Sequence, residues 1–333
     1  MSVARLLTAG GRPTVSFELF PPRTPAATES LHRTVEALSG IGPDFLSVTY
    51  GASGSTRETS RDLVRHVLST TPVPVVAHLT CVGASRAQVI ETATEFLDVG
   101  VRSFLALRGD PPAGRPDWQP HPDGVARACD LVELLQVVER RHRAQRRPGR
   151  PVDDGPLSIA VAAFPAAAPA PSGPDDVEVL LAKQRAGADF AITQVFYDAR
   201  DYVRFADRAR AAGVTIPLLP GIIPLTDPGR LLRLQGLTGV PVPRELLARL
   251  ESAADGGERA VHAEGIRASV ELARRILDAG APGLHVYTFN KHHAALDLLE
   301  GVHLGGGAPT APDLASRPWV SAPHHDMLRS AQH

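Results

Sequence analysis

The chain is short of the residues that usually announce a chemistry. Cysteine occurs twice, at Cys81 and Cys129, too few for a disulfide scaffold or a Cys-rich zinc site. Lysine also occurs twice, at Lys183 and Lys291, and all other basic residues are arginine, so each lysine stands out. Aromatic residues make up 5% of the sequence and hydrophobic residues 43%, so the core must be built from Val, Leu, Ile and Ala. Neither charge sign dominates. A formal net charge of -1 gives no field for holding a polyanion and argues against a dedicated nucleic-acid binder. No stretch has the 18 uncharged apolar residues of a membrane span. The opening MSVARLLTAGG lacks the apolar region and cleavage pattern of a signal peptide. A cytoplasmic protein with no membrane partner is expected. The usual phosphate loops are missing too: no GxGxxG follows a strand pattern and no GxxxxGK[ST] occurs.

What is present is an alternation. Short β-branched or apolar runs fall at residues 14–19, 45–49, 73–80, 101–107, 157–163, 190–196, 216–220 and 284–288, with stretches that can form helices between them. Several runs are apolar on both faces, as parallel strands covered by helices require. Helix starts are legible: Ser85 with Gln88 reads as a capping box, and Asp227-Pro228 as an N-cap followed by Pro at the first helical position. Eight strands with interleaved helices predict an α/β fold, a (β/α)8 TIM barrel over residues 1–302. Residues 227–280 leave room for extra helices between strands 7 and 8. Residues 139–155 are charged and poorly periodic and read as a surface loop insertion. Residues 303–333 read as a flexible C-terminal tail. His324 and His325 lie in that tail without Cys or an HExxH pattern nearby, so no metal site is expected.

Barrel enzymes carry their chemistry at the C-terminal ends of the strands. Those ends hold Glu18, Thr49, His78, Thr80, Arg108, Asp110, Gln194, Tyr287, Thr288 and Asn290. Glu18, in TVSFELFPP, is a carboxylate among Phe and Pro; desolvation there would raise its pKa and suit it to general-acid work. Asp110 follows Arg108-Gly109 and precedes two prolines, which hold the carboxylate in place. Gln194 is an amide at the end of an apolar strand and needs partners if buried. Each has a plainer reading: an exposed strand-end carboxylate, an Arg–Asp surface pair at a turn, an amide met by backbone. His78 equally reads as a satisfied structural histidine.

These residues sit in a series of blocks. In chain order they are FELFPPRT, FLSVTYGASGST, VAHLTC, ALRGDPP, VAAFP, GADFAITQVFYD, PGIIPLT and HVYTFN. Over residues 14–302 they resemble the methylenetetrahydrofolate reductase family of bacterial type, the catalytic barrel alone. The resemblance implies a (β/α)8 barrel holding FAD, reduced by NADH or NADPH, which then passes hydride to 5,10-methylenetetrahydrofolate to give 5-methyltetrahydrofolate for methionine synthesis. It implies Glu18 as the general acid at N10 and Asp110 as the carboxylate near pterin and flavin. Gln194, Tyr287 and Lys291 would serve as further substrate contacts. Thr49, His78, Leu107, Arg108, Gly109, Arg127, Phe164, Asp176 and Lys183 would line the cofactor site. Dimers and tetramers occur in the family, so a homo-oligomer is an expectation.

The chain departs from the pattern along the flavin wall. Ala168 stands where the family has a flavin-contacting histidine, Arg127 where it has a tyrosine, and Val179 and Ala182 where it often has Asn and Arg. Arg230 and Leu234 align with a glutamine and a phenylalanine of the substrate and nicotinamide region. Three readings follow: FAD held loosely, direct hydride transfer from NADH without flavin, or a folate-binding homologue without reductase activity. A lyase or methyltransferase acting on tetrahydrofolate is the other catalytic reading.

Overall fold

The computed structural model describes residues 2–9, 11–50, 54–110, 119, 121–145, 155–166 and 175–304, apart from the side chains of 54–56. One parallel sheet organises them: β1 (Thr14–Leu19), β2 (Phe45–Val48), β3 (Val75–Thr80), β4 (Ser103–Leu107), β5 (Ser158–Ala163), β6 (Phe190–Thr193), β7 (Leu218–Leu219), β8 (Gly221–Ile222) and β9 (Gly283–Tyr287). The strand order is β7-β6-β5-β4-β3-β2-β1-β9-β8. β7 and β8 are two halves of one barrel position on either side of Pro220. The first half pairs with β6 and the second with β9, so the sheet closes on itself. Proline supplies no N–H, but its carbonyl accepts from His285 N at 2.9 Å and keeps the ladder intact at the break. The eight expected strand positions are all present, with the seventh extending two residues beyond 216–220.

Helices fill the crossovers: α2 (Pro25–Ser39), α3 (Gly54–Thr70), α4 (Arg86–Asp98), α5 (Ala128–Gln145), α6 (Asp176–Arg185) and α7 (Ala199–Ala211). Between β8 and β9 lie three more, α8 (Pro228–Thr238), α9 (Arg244–Ala254) and α10 (Glu258–Asp278), and α11 (His292–Val302) follows β9. The Ser85–Gln88 capping box opens α4, and the Asp227 side chain accepts from Arg230 N at the start of α8. α5 runs to Gln145, so residues 139–145, expected to be loop, are its last turns; Leu131, Leu134, Leu135 and Val138 anchor the stretch before them and the charged end follows as solvated helix. Residues 146–154 and the expected tail beyond 304 lie outside the described residues, as do Ala168 and the histidine pair 324–325.

The barrel interior is layered. A short N-terminal helix, α1 (Val3–Thr8), closes the end where the strands begin, placing Val3 and Leu7 against Phe45, Val76, Leu105, Ala160, Phe190 and Leu219. Toward the C-terminal ends the interior turns polar: Ser16, Ser47, Glu18, His78 and His285 are all buried. Parallel register sets Ser16 beside His285, and Glu18 beside both Ser47 and Tyr287. The apolar end holds the barrel shut and the polar end is the mouth.

Candidate active site

Glu18 faces inward from β1 and is 7% exposed. Two imidazoles face its carboxyl: His78 Nε2 lies 3.5 Å and His285 Nε2 3.8 Å from Glu18 Oε2. Burial raises the Glu18 pKa, with His78 opposing. Burial lowers His78 to about 4, aided by His285 and opposed by Glu18, and lowers His285 to about 3. Both rings are therefore neutral near pH 7, and the upward direction for Glu18 stands, because a neutral His78 exerts no full charge on it. His78 Nε2 has no hydrogen-bond partner, so the reading of His78 as a satisfied structural histidine does not hold at that atom. His285 is satisfied, with Nδ1 2.8 Å from Ser16 Oγ and Nε2 3.3 Å from Ser47 Oγ.

The rim over this cluster is braced by the segment after β9. Thr288 Oγ1 donates to the Glu18 carbonyl at 2.7 Å. The Asn290 side chain accepts from Phe20 N and donates to Phe20 O, both at 2.8 Å, copying a strand partner for the turn after β1. Phe289 and Asn290 take left-handed backbone, φ 50° and 57°, a conformation uncommon for Phe and better tolerated by Asn. Phe289 is thereby stacked between Phe20, at 5.8 Å between ring centroids, and the Arg230 guanidinium, 4.7 Å from its ring. Tyr287 crosses the mouth and donates to the Thr193 carbonyl at 2.7 Å. A side chain at Gly221 would come within 2.6 Å of that Tyr287 hydroxyl, so the crossing needs glycine. Lys291, next to the rim, has its pKa lowered by burial and by Arg230.

The other predicted residues form a second arc. Thr49 and Leu107 are half-buried at the ends of β2 and β4, and Arg108 and Asp110 are exposed beyond β4. Gly109 between them has φ 82°, and a Cβ there would meet Val82 at 2.5 Å, so the turn presenting Asp110 requires glycine. Gln194 is half-buried, its Oε1 accepting from Val195 N at 2.8 Å. Asp176 and Lys183 lie seven residues apart on one face of α6. Lys183 is buried, its Nζ donating to the Ala162 carbonyl at 2.8 Å and lying 5.7 Å from the exposed Phe164 ring. Burial lowers its pKa to about 8, against the pull of Asp176. Arg127 is exposed and bidentate with Asp130, at 2.8 and 3.1 Å. Val179 is half-buried and Ala182 exposed on α6.

His285, Ser16 and Phe289 were not singled out from sequence. A signal existed for two of them. Side chains alternate along a strand, so Ser16 two residues before Glu18, and His285 two before Tyr287, had to face the same interior. Phe289 gave none, because its position depends on backbone torsion.

Over residues 3–303 the chain matches the family model described as methylenetetrahydrofolate reductase. It belongs to the methylenetetrahydrofolate reductase family. A relative from Pectobacterium carotovorum, named 5,10-methylenetetrahydrofolate reductase, is 34% identical over 284 residues, covering 84% of this chain and 87% of that protein. A rice relative, named probable methylenetetrahydrofolate reductase (NADH), is 32% identical over 320 residues and 93% of this chain. The chain spans about half the length of that plant protein, 51%. Among solved structures, a Clostridium thermocellum protein described as binding two copies of 5-methyl-5,6,7,8-tetrahydrofolic acid aligns with TM-score 0.54. It is 13% identical and the match covers 91% of this chain and 97% of that one, a likeness of fold. Within the described residues of this methylenetetrahydrofolate reductase family member, no helix is long and apolar enough to cross a membrane, and no group of three His, Cys, Asp or Glu could hold a metal ion.

Proposed function

We propose that the barrel mouth reduces 5,10-methylenetetrahydrofolate to 5-methyltetrahydrofolate with NADH or NADPH as the hydride source. The observation that carries this is Glu18, a carboxyl buried at the mouth, where desolvation raises its pKa and favours the protonated form. The substrate's methylene carbon bridges N5 and N10. A proton given to N10 lets the C–N10 bond break, leaving an iminium at N5, and hydride then adds to its carbon. A neutral acid beside the leaving nitrogen is what that step needs. Asp110, exposed at the end of β4, would stabilise the cation as it forms and hydrogen-bond the pterin. Gln194 and Tyr287 would fix the pterin's orientation, and Lys291 would meet a carboxylate of the substrate's glutamate. Names of relatives that specify NADH favour that reductant.

FAD, when bound, would accept hydride from the nicotinamide and hand it to the folate. The unpartnered His78 Nε2 fits such a group, with Thr49, Leu107, Arg108 and Gly109 along the same strand ends. The diphosphate end fits less well. Lys183 directs one N–H to the Ala162 carbonyl and Arg127 pairs with Asp130, so a phosphate would have to share Lys183 and compete with Asp130 for Arg127. That observation favours a second reading, direct transfer of hydride from nicotinamide to folate. Deuterium at the nicotinamide C4 separates the two. Direct transfer leaves the label in the product methyl group, whereas passage through a flavin loses it to water. Absence of methyl product in every condition would leave folate binding without reduction.

A further inference from the structure

We infer that His285 is a positioning residue for Glu18, fixed by Ser16 in the one tautomer that favours a protonated carboxyl. The inference rests on the reading of Glu18 as the acid and goes beyond it, since Ser16 and His285 touch neither folate nor nicotinamide in that reading.

The hydrogen bonds around the ring set the tautomer. Ser16 Oγ lies 3.3 Å from the Leu284 carbonyl and 2.8 Å from His285 Nδ1. A carbonyl only accepts; with the Ser16 proton placed on it, the hydroxyl oxygen accepts from Nδ1–H, the arrangement that satisfies both contacts at once. Neutral imidazole carries one proton. Nε2 is then a bare lone pair, taking the Ser47 hydroxyl at 3.3 Å and facing Glu18 Oε2 at 3.8 Å. A lone pair repels a carboxylate and attracts a carboxylic acid. The ring cannot turn to escape this, being stacked on Phe45 at 5.7 Å and edge-on to Tyr287 at 5.4 Å between centroids. It is fully buried, with both nitrogens taken by serine hydroxyls.

The groups facing Glu18 from neighbouring strands are few. β3 supplies His78, β9 supplies His285 and Tyr287, and β2 supplies only the neutral Ser47. None is a cation at neutral pH. Desolvation alone would raise Glu18, and the lone pair on His285 adds to it without exposing the carboxyl. The opposite tautomer would donate to Glu18 and favour the ionised form, which has no proton for N10.

Ser16→Ala is the sharper test, because Ser16 sits on the far side of the ring and its removal leaves the solvation of Glu18 alone. It frees Nδ1 and lets the proton move to Nε2. Folate reduction in this variant should lose activity on the alkaline side at a pH about one unit lower than wild type, a tenfold change in the acid's equilibrium. His285→Asn should move the same limb in the same direction. Nitrogen-15 NMR of His285 in the wild-type protein should show Nδ1 protonated and Nε2 bare, and this readout needs no variant to fold. An Nε2–H tautomer, or an unshifted alkaline limb in a folded Ser16→Ala protein that still reduces folate, would overturn the inference. Absence of folate reduction in wild type would instead refute the acid role itself, while the NMR result would still report the tautomer.

Discussion

Glu18 acts in the proposed reaction only while it keeps its proton; burial favours that state and His78 opposes it. In the proposed reaction Glu18→Gln should lower folate reduction by about 10²-fold or more while leaving nicotinamide binding unchanged, because an amide fills the same space but has no acidic proton. Steady-state rates alongside NADH titration would check this. The buried rings also tie stability to pH. An unfolded histidine takes up a proton near pH 6.5, whereas folded His78 and His285 resist until about 4 and 3. Their contribution is complete above 6.5 and is lost as pH falls toward those values. Glu18 runs the other way: its pKa is raised, so its contribution is present below the ordinary 4.5 and is lost as pH rises through the folded value. The urea midpoint should therefore drop on going from neutral pH to about 5, and drop less steeply in His285→Asn. A midpoint that rises over that interval would contradict the neutral-imidazole assignment.

At the scale of elements, the segment joining β9 to α11 sets the shape of the mouth. Asn290 supplies two hydrogen bonds to the Phe20 backbone and adopts the left-handed turn. Asn290→Ala removes both bonds and strains the turn, and should cost about 1–3 kcal/mol. Asn290→Gly keeps the turn and should cost less; urea unfolding of the pair separates clamp from torsion. Much of this scale could be read in advance. Ser85 with Gln88 and Asp227 with Pro228 mark helix starts through local chemistry that needs no tertiary information. Glu18, Asp110 and His78 were visible because they interrupt apolar or Gly/Pro runs at strand ends. Three features were not legible. The seventh strand divides at Pro220 because each half bonds a different neighbour. Residues 139–145 continue α5 although their charge reads as loop. Lys183 turns inward to Ala162, which depends on how α6 packs over β5. All three are set by contacts distant in sequence.

For the whole molecule, an apolar floor and a polar mouth divide the work. α1 closes the floor with Val3 and Leu7, and Ala4 N donates to Ser158 Oγ at 3.3 Å. Leu7→Ala should cost about 2 kcal/mol or more in stability, read as a lower denaturant midpoint, with kcat unchanged because the mouth lies at the opposite end. The barrel's central role is tested most directly by anaerobic NADH oxidation with 5,10-methylenetetrahydrofolate, using protein stripped of small molecules, with and without added FAD and repeated with NADPH. NADH oxidation matched by 5-methyltetrahydrofolate is the predicted result; dependence on FAD would assign the flavin route, and equal rates without flavin the direct one. Folded protein that oxidises neither nucleotide in any of these mixtures would contradict the proposed reduction.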